Sequence, residues 1–160
     1  MTHIEPRQGV LSAVLAVALA LACSGAVAHG DAHRDVYAAF GQPGNPAKVS
    51  RSVAIDMNDA MRYAPAVVNV RRGETIRFVA TNSGKVKHEI VLGTVKQLLD
   101  HAALMKKFPE MEHEDPNQLS VEPGKSGELV WQFTKMGTFD FACLQPGHYE
   151  AGMHGTIVVK

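Results

Sequence analysis

Cysteine is scarce in this chain: there are two, Cys23 and Cys143. Cys23 lies in an apolar N-terminal stretch, so the domain that follows has one thiol and no partner for an internal disulfide. A lone thiol in an exported protein is best buried or bonded to a metal. Net charge is also lacking, with 16 basic and 16 acidic residues. That balance gives no footprint for nucleic acid and no steering toward a membrane surface. Nor is there a long hydrophobic run. Val10 to Ala22 is apolar but shorter than the ~20 residues that a membrane-spanning helix needs. No internal repeat or second domain is evident.

The N-terminal run has the build of a secretory signal, with Arg7 before it and Ala26-Val27-Ala28 as an A-x-A cleavage site. Residues 1–28 are therefore expected to be a signal peptide, cleaved after Ala28, with no membrane insertion afterwards. A competing feature is Leu19-Ala20-Leu21-Ala22-Cys23-Ser24, a loose lipoprotein box that would lipidate Cys23. Residues 29–48 are rich in Gly, Pro, Ala and His without a sustained period. They are expected to form a flexible N-terminal arm ahead of one domain at 49–160.

From Val49 the pattern is that of strands. Val53, Ile55 and Met57 alternate with polar neighbours, as do Val68 and Val70, then Ile76, Phe78 and Ala80. His88 to Leu92 is a short apolar run. Leu129, Trp131 and Phe133 alternate, as do Phe139 and Phe141, and Thr156 to Val159 follows. Seven or eight short strands punctuated by Gly and Pro turns predict an all-β antiparallel sandwich. One helix interrupts them. Thr94-Val95-Lys96-Gln97 reads as a capping box, and Val95, Leu98, Leu99, Ala102 and Met105 recur at helical spacing up to Phe108-Pro109.

What the chain does have is a concentrated motif. Cys143, His148 and Met153 are spaced C-x4-H-x4-M. Soft sulfur with imidazole selects copper, and two His and a Cys in a plane with a distant Met define a type 1 electron-transfer site. The missing second imidazole is assigned to His88, at the head of an apolar strand. Pro146-Gly147 lets the loop turn so that His148 faces back toward the thiolate. Zinc suits this set less well, because a thioether is a poor zinc ligand. A Cys-His nucleophile leaves Met153 unexplained.

Further copper-capable groups are expected outside that centre. His29, as a new N-terminus, would offer amine and imidazole together, with His33 or Asp31 adding a ligand. Met105, Met111 and His113 form a soft cluster suited to Cu(I), which Met61 could join. Met57 is read as core, His101 as exposed, and His154 as structural or at the rim of the site. Glu110, Glu112, Glu114 and Asp115 read as a solvated acidic loop.

The His…Cys-x4-His-x4-Met arrangement on a sandwich resembles the cupredoxins, the family of plastocyanin and azurin, from Val49 to Lys160. Met57 to Pro65, Lys87 to Gly93, the helix running into Phe108-Pro109-Glu110-Met111-Glu112-His113, and Gly137 to Gly155 look like the periplasmic cupredoxins of bacterial copper tolerance, the CopI type. The resemblance implies a Greek-key β-sandwich and one type 1 copper. It also implies a non-enzymatic periplasmic role in copper handling, with cuprous oxidation left open. Partners would be copper ions and a redox protein, copper exporter or oxidase. The alternative is a simple electron carrier between redox enzymes. Plastocyanin and azurin place Asn after the strand-borne His, where it ties ligand loops together. This chain has Glu89, and the resemblance leaves its role open.

Overall fold

The computed structural model describes Tyr37 and residues 39–108 and 115–160. The strands in chain order are β1 (Gly41–Pro43), β2 (Arg51–Asn58), β3 (Arg62–Ala64), β4 (Val67–Val70), β5 (Thr75–Asn82), β6 (His88–Gly93), β7 (Gln118–Val121), β8 (Ser126–Phe133), β9 (Gly137–Ala142) and β10 (His154–Val159). The helix α1 (Val95–Lys107) is inserted between β6 and β7. One sheet runs β1-β8-β5-β2-β3 and the other β4-β10-β9-β6-β7.

Period-two alternation builds the sandwich. Leu129, Trp131 and Phe133 of β8, and Ile157 and Val159 of β10, turn inward and are buried, while their neighbours are partly covered. β6 departs from alternation because it is covered on both faces. Ile90 and Leu92 join the main core, and Val91 packs with Leu98, Ala142 and Leu144 under α1. A strand buried on both sides needs a continuous apolar run, which explains His88 to Leu92.

Two features differ from expectation. The sheets are mixed: β2 runs parallel to β5 and β4 parallel to β10, while the other pairs are antiparallel. After β3 the chain crosses to the second sheet as β4 and returns as β5 beside β2, which makes that pair parallel. Second, the stretch expected to be an arm enters the fold before it ends. β1 pairs with β8, and Phe40 stacks on Trp131 at 5.0 Å between ring centroids, with Phe139 at 5.9 Å. Tyr37 meets Trp131 edge-on at 5.5 Å. These two aromatics carry apolar area into an otherwise Gly- and Pro-rich segment, and β1 covers an edge that β8 would leave open.

The topology gathers three segments at one end. β9 is antiparallel to both its neighbours, and Ala142 at its end lies opposite Val91 of β6 and His154 of β10. Cys143, His88 and Met153 are thereby delivered to the same end of the sandwich.

Candidate metal centre

The loop from Cys143 to Met153 is braced by its own backbone. Cys143 N donates to Met153 O at 3.1 Å, Met153 N to His148 O at 3.0 Å, and His148 N to Gln145 O at 2.9 Å. Gly147 and Gly152 take φ of 85° and 98°, the left-handed region that glycine tolerates. A Cβ on Gly152 would also lie 2.9 Å from the Arg62 guanidinium, which donates to Ala151 O at 2.7 Å and ties the loop to β3.

Within this frame the Sγ of Cys143 lies 3.2 Å from Nδ1 of His148. His88, Cys143 and His148 each present a ligand atom, all within 4.8 Å of one another, and they are the one such group among the described residues. The two imidazoles sit 5.0 Å apart, centroid to centroid. His88 and Cys143 are fully buried and His148 is half-buried at the rim. Met153 is fully buried, and its backbone bonds to Cys143 and His148 place it beside them.

The decisive polar atom is Nδ1 of His88, which is buried with no hydrogen-bond partner. An orphaned buried nitrogen is costly. It is explained if it faces a metal. The other ring nitrogen, Nε2, lies 3.3 Å from Oδ1 of Asp59. A carboxylate there selects the tautomer with hydrogen on Nε2 and leaves Nδ1 with its lone pair. Asp59 is itself held by the Lys85 amide at 2.8–2.9 Å and the Val86 amide at 3.4 Å. The Lys85 amide above all, then Val86 and His88, keep its carboxyl below the usual carboxylate range.

Without metal, burial and then the charge of Glu89 push the Cys143 thiol up to about 12. Burial, and then the neighbouring His88, push His148 down. The fold thus favours a neutral thiol and a neutral His148 imidazole until a cation arrives to displace the thiol proton.

Glu89 does the tying that the sequence left open. Its carboxylate accepts from Leu144 N at 2.8 Å and from the side-chain amides of Gln145 at 3.2 Å and Gln118 at 3.4 Å. Asn82, fully buried, plays a parallel part nearby. Its Nδ2 donates to Val86 O at 2.8 Å and Val121 O at 2.9 Å, pinning the loop before His88 to β7. Sequence reading missed Asp59 and Asn82. Only their placement in space shows what they hold.

Other expected positions fall elsewhere. Met57 is core and Met61 packs against it. Met105 is partly buried on α1. Met111 and His113, and also His29, His33 and Cys23, lie outside the described residues. His101, expected on an exposed face, is partly buried and lines a cavity of about 510 Å³ with Tyr37 and Asp115, because β6 and the N-terminal aromatics rise beside the helix. His154 is exposed, its ring 5.5 Å from Tyr149. Among the described residues no helix is long and apolar enough to cross a membrane.

Comparison with known proteins agrees with this geometry. The family described as copper binding proteins, plastocyanin/azurin family, matches residues 49–160. The copper-resistant cuproprotein CopI of Rubrivivax gelatinosus is 53% identical over 137 residues, covering 82% of this chain and 83% of that protein. The protein of the same name from Pseudomonas aeruginosa is 35% identical, covering 92% of this chain and 93% of its own. Among solved structures, auracyanin B superposes with a TM-score of 0.62 at 22% identity, over 75% of this chain and 96% of that one. Fold and site together define a cupredoxin, and the chain belongs to the plastocyanin/azurin family of copper-binding proteins. Within that family its kinship is with the CopI type, and copper is its cofactor.

Proposed function

We propose that this chain is an exported, periplasmic copper-handling protein of copper tolerance, holding one type 1 copper at His88, Cys143, His148 and Met153. The observation that carries the reading is the buried, unpartnered Nδ1 of His88 beside the Cys143 thiol and the His148 imidazole. The relatives named for copper resistance supply the tolerance. The A-x-A motif before His29 supports export.

Bound copper supplies one-electron exchange between Cu(I) and Cu(II). The chain's own residues do the rest. Cys143 would give up its proton on loading, His88 is held in one tautomer by Asp59, and Met153 would offer its thioether as a further, weaker donor. The sandwich fixes these groups so that little rearrangement accompanies exchange. Half-buried His148 is the edge through which an electron or a metal would pass.

The reading extends to accessory copper at Met105, Met111 and His113, and at His29 and His33. More than one tightly held copper per chain would support it. The alternative is a simple electron carrier, which needs only the type 1 site, and a single copper per chain would favour it. The principal test is spectroscopic and physiological. Copper-loaded protein should show an intense thiolate-to-copper band that Cys143→Ser abolishes, and a host carrying that variant should become copper-sensitive. A band that survives the substitution overturns the site. Full protection by the variant overturns the tolerance role.

A further inference from the structure

Glu89 is a buried charged side chain that the copper ligands do not account for. It is 4% exposed. Its main chain is pinned by the Tyr63 hydroxyl, which donates to Glu89 O at 2.5 Å. Its side chain reaches the other way. One oxygen takes the Leu144 amide, and the second takes the Gln145 and Gln118 amide groups. These three partners sit on the ligand loop and on β7, while Glu89 itself sits on β6 next to His88. All three are N–H donors, which a carboxylate accepts with both oxygens. A side-chain amide would offer one oxygen and turn its NH2 toward two other NH2 groups, unless Gln118 and Gln145 flipped.

We propose that Glu89 is a positioning residue of this centre, clamping the Cys143 loop to β6 and β7 and holding a negative charge beside the thiolate that favours Cu(II) over Cu(I). This rests on the copper reading above. The charge argument is elementary. Cu(II) carries one more positive charge than Cu(I), so a nearby anion in a low-dielectric interior stabilises it more. The three N–H donors attenuate that field without reversing its sign. The clamp argument is geometric. Leu144 is the residue after Cys143, so fixing its amide fixes the direction in which Sγ leaves the chain.

Charge and reach are separated by two substitutions in full-length, copper-loaded protein. Glu89→Gln keeps the reach and removes the charge, and flips of Gln118 and Gln145 accommodate it. Its preference for Cu(I) over Cu(II) should rise about tenfold, a potential ~59 mV higher for one electron, with the charge-transfer band retained. Glu89→Asp keeps the charge but is one methylene short. It should stay near the parent potential while the band shifts and copper leaves several-fold faster in a chelator chase. If Glu89→Gln does not fold, Glu89→Asn provides the neutral side chain for the same potential measurement. A neutral variant at the parent potential overturns the charge role. Parent-like copper release and band in Glu89→Asp overturn the clamp. A parent protein with no thiolate-to-copper band would instead overturn the copper assignment itself, before Glu89 is in question.

Discussion

Asp59 shows how much one exposed turn residue can control. It is the partner of His88 Nε2 at 3.3 Å, and a metal-bound imidazole depends on such a partner for its tautomer, its orientation and its basicity. Asp59→Asn can keep a hydrogen-bonding oxygen but loses the charge, and Asp59→Ala loses both. We expect copper affinity to fall on the order of 10-fold for Asn and toward 100-fold for Ala, measured by competition with a calibrated chelator. Equal affinity in all three proteins would remove Asp59 from the site. The residues proposed as ligands were legible in sequence, because C-x4-H-x4-M places three of them on one short loop and His88 heads an apolar strand, and the structure brings His88, Cys143 and His148 together. Asp59 and Asn82 were not legible. Each acts across a gap in sequence, Asp59 on a ring 29 positions away and Asn82 on a carbonyl 39 positions away, and no local period records such a pairing. Glu89 was visible only as a departure from Asn.

Elements were easier to read than their surroundings. Strand alternation marked β2, β5, β8 and β9, and the capping box of α1 is present in full: Gln97 N donates to Thr94 Oγ1 at 3.3 Å and Thr94 N to Gln97 Oε1 at 2.9 Å. The sequence placed Val95, Leu98, Leu99, Ala102 and Met105 on one apolar face. The structure buries Leu98 fully and Ala102 and Met105 partly, while Val95 and Leu99 stay exposed. The helix crosses a narrow outer face of β6 and β9, which one stripe of side chains fills. Its C-terminal turn reaches the ligand loop through an exposed Lys106–Glu150 ion pair, a contact of small energetic weight. Losing the cap should therefore loosen the helix without disturbing the copper. Thr94→Ala should cost about 1 kcal/mol in urea unfolding and leave the thiolate-to-copper band unchanged. A changed band would mean that α1 supports the metal loop more directly than its contacts indicate.

For the whole molecule, burial of acids that must stay protonated sets a limit in alkali. Cys143 stands at about 12 in the fold against 9.0 for a free thiol, with burial the main cause. Tyr63 is held well above its ordinary 10.0, and Tyr37 is raised to about 12, both chiefly by burial. For each group the folded value lies above the unfolded one. Its contribution to stability is complete below the unfolded value and is lost as pH rises from there toward the folded value, because the unfolded chain ionises first. Copper-free protein should thus weaken from about pH 9 through the thiol, and more steeply above pH 10 as both tyrosines join. The thiol's share amounts to a few kcal/mol by pH 12, at ~1.4 kcal/mol for each pH unit that separates its folded and unfolded values. Cys143→Ser should delay the onset by about one pH unit, from the thiol's ordinary value to that of the tyrosines. Copper loading should do the same by another route: the metal holds the thiolate already ionised, so alkali has no thiol proton left to remove, and loading itself releases a proton and grows tighter as pH rises. Urea unfolding at pH 8, 9, 10 and 11 on parent, variant and loaded protein checks all three statements. Parent and Cys143→Ser losing stability in parallel between pH 9 and 10 would show that the thiol is not held protonated by the fold. The account of a buried centre closed until copper enters would then fail with it.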